Sequence, residues 1–346
     1  MHADTLYLDG THIRSKAGIM FRHSTQTALL AVAFCKKVNL RLCLVLEEEC
    51  GGATNDAARD IEMLNKQLSG GFLIPRDVFT CVSTQSRTAL PDEVQNCRLP
   101  VIFMPSQTYV ICGLCHVLRR IIKLASSEHN PELIKLLGLK QCCLKASSEV
   151  SSRTYLCEAY APKLIDEWLL LLSSPAECNN LPDVIDSAEK LLNAPVKMHN
   201  MDKHQRKILK RLSEMNETLS EPKRPKVNEH LKKQVVKTQD LPPLKHVFME
   251  GVEFMISDLA ILPAVDVFVK IREAKQPGLN ASIPLLLQWY KRTANLSAVA
   301  AAVEACGVKL LDFGDNSQEE TTMKIKEKSF VLELGKEQTA ESARRR

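Results

Sequence analysis

Apolar positions along the chain change rhythm about a third of the way in. Before that point short apolar runs alternate with helical stripes. Residues 5–9 (TLYLD) read as a strand, and residues 23–38 as a helix with Ala28, Val32 and Cys35 on one stripe and Ser24 as its N-cap. The run LRLCLVL over 40–46 has the continuous apolar character of an interior strand. A second helical stripe, Ile61, Leu64 and Leu68, ends at Gly70 and Gly71, and DVFTCVS (77–83) and PVIFM (100–104) supply two more strands. The order is β-α-β-α-β-β, an α/β layer over residues 1–108.

From about Tyr109 the period becomes helical. YVICGLCHVLRRIIK reads as one apolar-faced helix. RTYLCEAYAPKLIDEWLLLL reads as a long one with Leu156, Tyr160, Leu164 and Trp168 four apart and a kink at Pro162. Helices return near the end: one opens at GVEFMISDLAILP, one has Ser282 as N-cap and Pro284 in its first turn, and one is stopped by Gly307. The layout expected is a helical region in two parts, 109–196 and 241–312, divided by a linker at 197–240. Residues 313–346 are polar and are expected to hold no fixed structure.

Charge changes this picture at one place. The whole chain carries a formal +5, yet residues 197–237 hold twelve bases against five acids, which leaves the remainder slightly negative. Any attraction to polyanions therefore belongs to the linker. Within it Ile208, Leu212, Met215 and Leu219 form one marginal helical stripe, and no aromatic residues interleave with the bases as a single-strand binder would need.

Twelve cysteines in a chain with no signal-like start and no long apolar span predict a cytoplasmic protein with reduced thiols. Cys35, Cys43, Cys112, Cys157 and Cys306 lie in apolar segments and read as core. Cys112, Cys115 and His116 spell C-x-x-C-H, but inside a helical stripe this is not read as a haem or dithiol motif. Adjacent Cys142 and Cys143 lack a second pair at zinc spacing, so no metal site is expected.

Two places carry a resemblance to the glutathione transferases. NCRLPVIFM sets Leu99 and Pro100 where that family has a cis proline ahead of its last strand pair, and X-Pro bonds are the ordinary site of cis geometry. GVEFMISDLAILP is similar to the family's helix-start box, in which a hydroxyl residue and an acid three positions on satisfy each other's backbone N–H groups. Here the acid is Asp258, and Met255 stands where the hydroxyl belongs. Further segments, EVQNCRLP, VLRRIIK, CLKASSEVS, PVKMHNMDK, DLPPLKHVF, LLLQWYKR and CGVKLL, resemble in order a member of this family whose helical domain is divided by a charged linker. The resemblance implies a thioredoxin-like α/β domain followed by a transferase C-terminal-like helical domain. It also implies a longer relative with a methyltransferase-like domain. After Gly307 only Gly314 and Gly335 are available for that domain's glycine-rich loop, so a form lacking it is expected.

The resemblance further implies a thiol-activating hydroxyl or cysteine after the first strand, and an acid or Gln followed by Ser after the last strand to hold the γ-glutamyl group of glutathione. Thr11, Ser15 and Ser24 are the hydroxyls near the first position. Ser106, Gln107 and Thr108 stand near the second, in a different order. Pro100 and Ser106 are thus the cofactor-site candidates, and no catalytic residue is identifiable. Three readings follow: a non-catalytic scaffold or protein-interaction module with no cofactor and an unnamed protein partner; a glutathione-binding transferase; and an RNA-associated module acting through residues 197–237. The first is preferred, because fold does not imply reaction. Membrane association and an oligomeric state have no support in the sequence.

Overall fold

A computed structural model describes residues 4–15, 18–46, 73–128, 130–137, 155–164, 181–196, 201–203, 205–206, 209–210, 244–275 and 279–311. The chain divides into two units, residues 1–197 with 244–311 and residues 198–243 with 312–346. In the second, residues 201–203, 205–206 and 209–210 are helical. The first holds everything that follows.

Its sheet has the order β5-β4-β1-β6-β7, from β1 (Asp4–Asp9), β4 (Leu40–Leu46), β5 (Cys81–Ser86), β6 (Val101–Met104) and β7 (Tyr109–Cys112). β4 runs parallel to both β1 and β5, whereas β6 and β7 are antiparallel to their neighbours. Leu6 faces Leu42 on one side and Ile102 on the other, so the middle of the sheet is wholly apolar. A separate hairpin, β2 (His12–Ser15) with β3 (Gly18–Phe21), follows β1. The crossover from β1 to β4 is α1 (His23–Cys35), buried nearly all round because it packs against the later helices as well as the sheet. Burial pushes the thiols of Cys35 and Cys306 up to about 12 and Cys43 to about 11, which makes them inert small hydrophobes. On the other face Tyr7, Cys43, Val45 and Val101 pack with Leu90 and with Val94 of α2 (Asp92–Gln95).

The helical part contains α3 (Leu114–Glu128), α4 (Asp183–Asn193), α5 (Ile256–Lys275), α6 (Pro284–Ala294) and α7 (Ser297–Ala305). α1 packs on α3, α5 and α7. The fold is therefore a thioredoxin-like α/β layer followed by helices, with Leu99–Pro100 in the cis form ahead of β6. Gly307, with φ of 65°, ends α7 as read.

Several expectations need correction. Residues 109–112 form a strand, not the start of a helix, so a boundary after residue 108 would cut the β6–β7 hairpin; Gly113, with φ of 91°, turns the chain into α3. Cys112 ends that strand and is exposed, not core. The strand read at 77–83 lies at 81–86, after a 3-10 turn at Arg76–Val78. Neither serine cap is present. Arg22 is the N-cap residue of α1 and Ile283 that of α6, each without a side-chain cap bond. Ahead of Pro162 the helix widens into a π turn, Leu156–Tyr160, which makes room for a ring that cannot donate an N–H. The stripe 61–68, Cys142, Cys143, Trp168 and residues 313–346 lie outside the described residues.

Candidate functional site

A cleft of about 380 Å³ lies where β1 ends, α1 begins and the chain approaches the cis proline. Asp9 comes from β1, and Arg22, His23 and Ser24 from the start of α1. Asn96 to Leu99 form the opposite wall, with Arg87 and Pro162 completing it. Three arginines and one carboxylate line it, a positive balance that favours an anion.

Each wall is held by its own hydrogen bonds. Asp9 Oδ1 accepts from Thr11 N at 2.9 Å and from the Thr11 hydroxyl, while Oδ2 pairs with Arg22 Nε at 3.4 Å. The Thr25 hydroxyl donates to the Asp9 carbonyl at 2.8 Å. Arg87 donates from Nε and Nη2 to the carbonyls of Gln95 and Cys97 at 2.8–3.2 Å, which fixes the segment leading to Pro100. Arg98 and the Ser24 hydroxyl engage no partner among the described residues.

His23 joins this wall to the helical part. Its Nε2 lies 2.8 Å from the carbonyl of Ala260 on α5, and a carbonyl only accepts, so Nε2 carries the proton. Burial depresses the ring's pKa to about 4 and keeps it neutral, and Nδ1 is buried without a partner among the described residues. Pro263 lies one turn further along α5, where it removes an N–H from the helix ladder.

Next to the cleft wall, α3 begins immediately after β7. Its first amides are taken: Leu114 N donates to Glu158 Oε2 at 3.0 Å and Cys115 N to Glu158 Oε1 at 2.6 Å. A carboxylate at a helix N-terminus satisfies orphan donors and the positive end of the helix dipole together. Gly113 permits the approach, since a Cβ there would stand 3.3 Å from Glu158 Oε1. α6 repeats the device, with Leu285 N and Leu286 N donating to Glu189 at 3.0 and 2.7 Å.

The helix-start box is intact on its acidic side. Asp258 Oδ2 accepts from Met255 N at 2.8 Å, and Oδ1 accepts from Met249 N at 2.8 Å and Trp289 Nε1 at 2.7 Å. Met255 has no hydroxyl to return the bond, and its own carbonyl accepts the Asp258 N–H at 3.1 Å instead. Ser257 lies inside the helix with its hydroxyl buried and without a partner among the described residues, so it is not an alternative cap.

No protein-family model matches the chain. It is 32% identical over 352 residues to the human glutathione S-transferase C-terminal domain-containing protein, an alignment covering 88% of this chain and 52% of that protein. The Drosophila melanogaster homolog of that protein is 29% identical over 262 residues, 75% of this chain and 40% of its own. The chain is thus similar to these glutathione S-transferase C-terminal domain-containing proteins. It spans about half the length of the human protein. Among solved structures, Ure2p in complex with glutathione aligns over 87% of this chain and 93% of its own at 13% identity, with a TM-score of 0.38. A glutathione transferase from Phanerochaete chrysosporium in complex with oxidized glutathione aligns over 88% and 96% at 10% identity, with a TM-score of 0.41.

The transferase-like candidates fall in different places. Leu99, of the cis pair with Pro100, lines the cleft. Ser106, Gln107 and Thr108 do not: they form the exposed β6–β7 turn, before the last strand and not after it. The residues that do follow the last strand are Gly113, Leu114 and Cys115, closed by Glu158. Ser15 lies on β2. Ser24, which does not cap α1, stands in the cleft at the head of that helix. Arg22, Arg87 and Arg98 share no spacing in the sequence, because they come from separate segments and line one cleft only in three dimensions. No group of three or more metal-ligating side chains occurs among the described residues, and no described helix is long and apolar enough to cross a membrane.

Proposed function

We propose that this chain is a glutathione transferase-like scaffold of the cytosol that works through protein partners and does not turn glutathione over. The observation that carries this reading is the Glu158 carboxylate on the first amides of α3. The resemblance implies that the γ-glutamyl group is held just after the last strand, by an acid or Gln followed by Ser. Here that place carries Gly113, Leu114 and Cys115, and the chain's own glutamate fills the backbone donors. A reacting thiol anchored elsewhere in the cleft would lose the positioning on which rate depends.

A second reading, a glutathione-binding transferase, is favoured by the Ser24 hydroxyl, which is unbonded among the described residues and stands in a cleft lined by three arginines. Calorimetric titration of the full chain with glutathione separates the two. The scaffold reading expects no binding heat up to low millimolar glutathione and no conjugation of a chlorodinitrobenzene-type electrophile above the uncatalysed rate. Binding, with turnover lost in Ser24→Ala, would establish the transferase.

A further inference from the structure

The C-x-x-C sequence at 112–115 is not a dithiol in space. Cys115 is buried and its thiol contacts that of Cys157, also buried, whereas the Cys112 thiol contacts that of Cys97. Cys112 is exposed at the end of β7, and Cys97 is half-buried on the wall of the cleft between Asn96 and Arg98. Cys97 packs with Leu99, Phe103 and Val110 on the cluster beneath the sheet. Its backbone is fixed by its own N–H to Val94 O at 2.9 Å and by Arg87 on its carbonyl at 2.8 Å. Cys112 stands directly across the β6–β7 ladder from Val101, a member of that same cluster, so the two thiols share one face of the sheet, and the Cys97 thiol is anchored there by donating to the Glu93 carbonyl at 3.2 Å.

We propose that Cys97 and Cys112 form a reversible disulfide, with hydrogen peroxide as the oxidant, and that this bond locks the wall of the cleft to the last strand. Cys112 reacts first, because it is the exposed partner; burial, then the neighbouring Cys112, pushes the Cys97 thiol up, with Arg87 acting against them. The Cys112 sulfur attacks one peroxide oxygen, the O–O bond breaks, and a sulfenic acid and one water result. The Cys97 sulfur then attacks the Cys112 sulfur. The S–O bond breaks, and the hydroxyl leaves with the Cys97 proton as a second water. Two electrons pass from the two thiols to one peroxide, and a dithiol reductant returns both thiols by exchange. Because Cys97 lies between Asn96 and Arg98, the linkage withdraws a thiol from the cleft and fixes the segment that carries Arg98.

This inference does not depend on whether the cleft takes glutathione. Its test is peptide mapping of the native full chain under non-reducing conditions after brief treatment with hydrogen peroxide. The expected product is a cross-linked pair of peptides containing Cys97 and Cys112, lighter by two hydrogens and separated again by dithiothreitol. In Cys97→Ser the cross-link should vanish, with Cys112 then trapped as sulfenic acid by dimedone; in Cys115→Ser it should persist. Cys112 joined to any other cysteine in the wild-type chain, or oxidised beyond sulfenic acid while Cys97 stays reduced, would overturn the assignment.

Discussion

The indole of Trp289 donates to Oδ1 of Asp258 over 2.7 Å, with both side chains fully buried. The same carboxylate receives the backbone of Met249, beside the Phe248–Gly251 turn, and of Met255 at the head of α5. One side chain thus ties a turn, the start of one helix and the middle of another. Asp258→Ala leaves two buried donors and one half-buried donor without an acceptor, each costing about 1–3 kcal/mol when orphaned. The expected loss is about 3 kcal/mol or more, beyond the roughly 0.5–2 kcal/mol of an ordinary cap. Urea unfolding of the variant measures it, and a loss under about 1 kcal/mol would mean that the carboxylate is not the tie.

Met255→Thr should do little. A threonine hydroxyl would offer an acceptor to the Asp258 N–H, but Met255 O already holds that N–H at 3.1 Å. The methionine is half-buried, so its removal costs some apolar contact. The two effects oppose, and the expected net change is below about 1 kcal/mol, against the gain of up to about 2 kcal/mol that a wholly missing cap would return. Thermal melts of the single variant decide between the two values.

Asp258 and His23 should give stability opposite pH slopes in overlapping windows. Burial raises the Asp258 pKa from 3.8 to about 7, against the pull of its three hydrogen bonds. The folded state therefore holds this proton more tightly, and the stability it confers is present below about 3.8 and lost as pH rises towards 7. Burial lowers the His23 pKa from 6.5 to about 4, so its contribution is present above 6.5 and lost as pH falls towards 4. Between these limits the two slopes largely cancel. In His23→Gln stability should fall with rising pH across this window, and in Asp258→Asn it should fall with acidification. Denaturant midpoints at a series of pH values give the slopes; unchanged slopes in both variants would refute the assignment.

The parts of this fold that were legible in the sequence are those whose signals are local. β1 and β4 are continuous apolar runs, the cis bond lies at an X-Pro step, and the Met255–Asp258 box spans four residues. β7 was hidden because its four residues run straight into the apolar face of α3, and the four-residue strands β2 and β3 are too short to show a period. The caps of α3 and α6 come from Glu158 and Glu189, 43–44 and 96–97 residues distant, so the nearest serine was an attractive but wrong candidate in α6. The cleft was illegible for the same reason: its charged groups come from separate segments and share no spacing.

Glu158 makes a prediction about the head of α3. Glu158→Ala frees the amides of Leu114 and Cys115 and should cost about 1–2 kcal/mol, the usual worth of a helix cap with a charged acceptor. Glu158→Gln keeps one acceptor oxygen and should cost less. Gly113→Ala adds the strain of a φ of 91° to a Cβ at 3.3 Å from the Glu158 carboxylate, and should cost at least as much as Glu158→Ala. Because both changes act on one contact, the double variant should lose less than the two single losses added together. Additivity in the unfolding free energies would show that the glycine and the glutamate act separately.

The basic segment is the remaining place where the sequence points to a partner. Residues 197–237 carry twelve of the chain's bases against five acids, and residues 198–243 fall in a unit separate from the one that holds the cleft. If charge there acts independently of the folded body, deleting residues 201–237 should leave the cooperative unfolding transition within about 2 °C of the full chain, a shift that corresponds to well under 1 kcal/mol. The same deletion should abolish retention on heparin or single-stranded RNA. In the full chain that retention should weaken steeply between 50 and 200 mM salt, because each phosphate neutralised by Lys or Arg releases a counterion. Reversing only the densest run, Lys223, Arg224 and Lys226, to glutamate removes positive charge without shortening the chain, and should reduce retention by more than the same number of reversals on the folded body, such as Lys123, Arg98 and Lys291. A large fall in melting temperature on deletion would show that the segment packs against folded structure, and retention that survives the deletion would place the anion-binding charge on the body, where Arg22, Arg87 and Arg98 line the cleft.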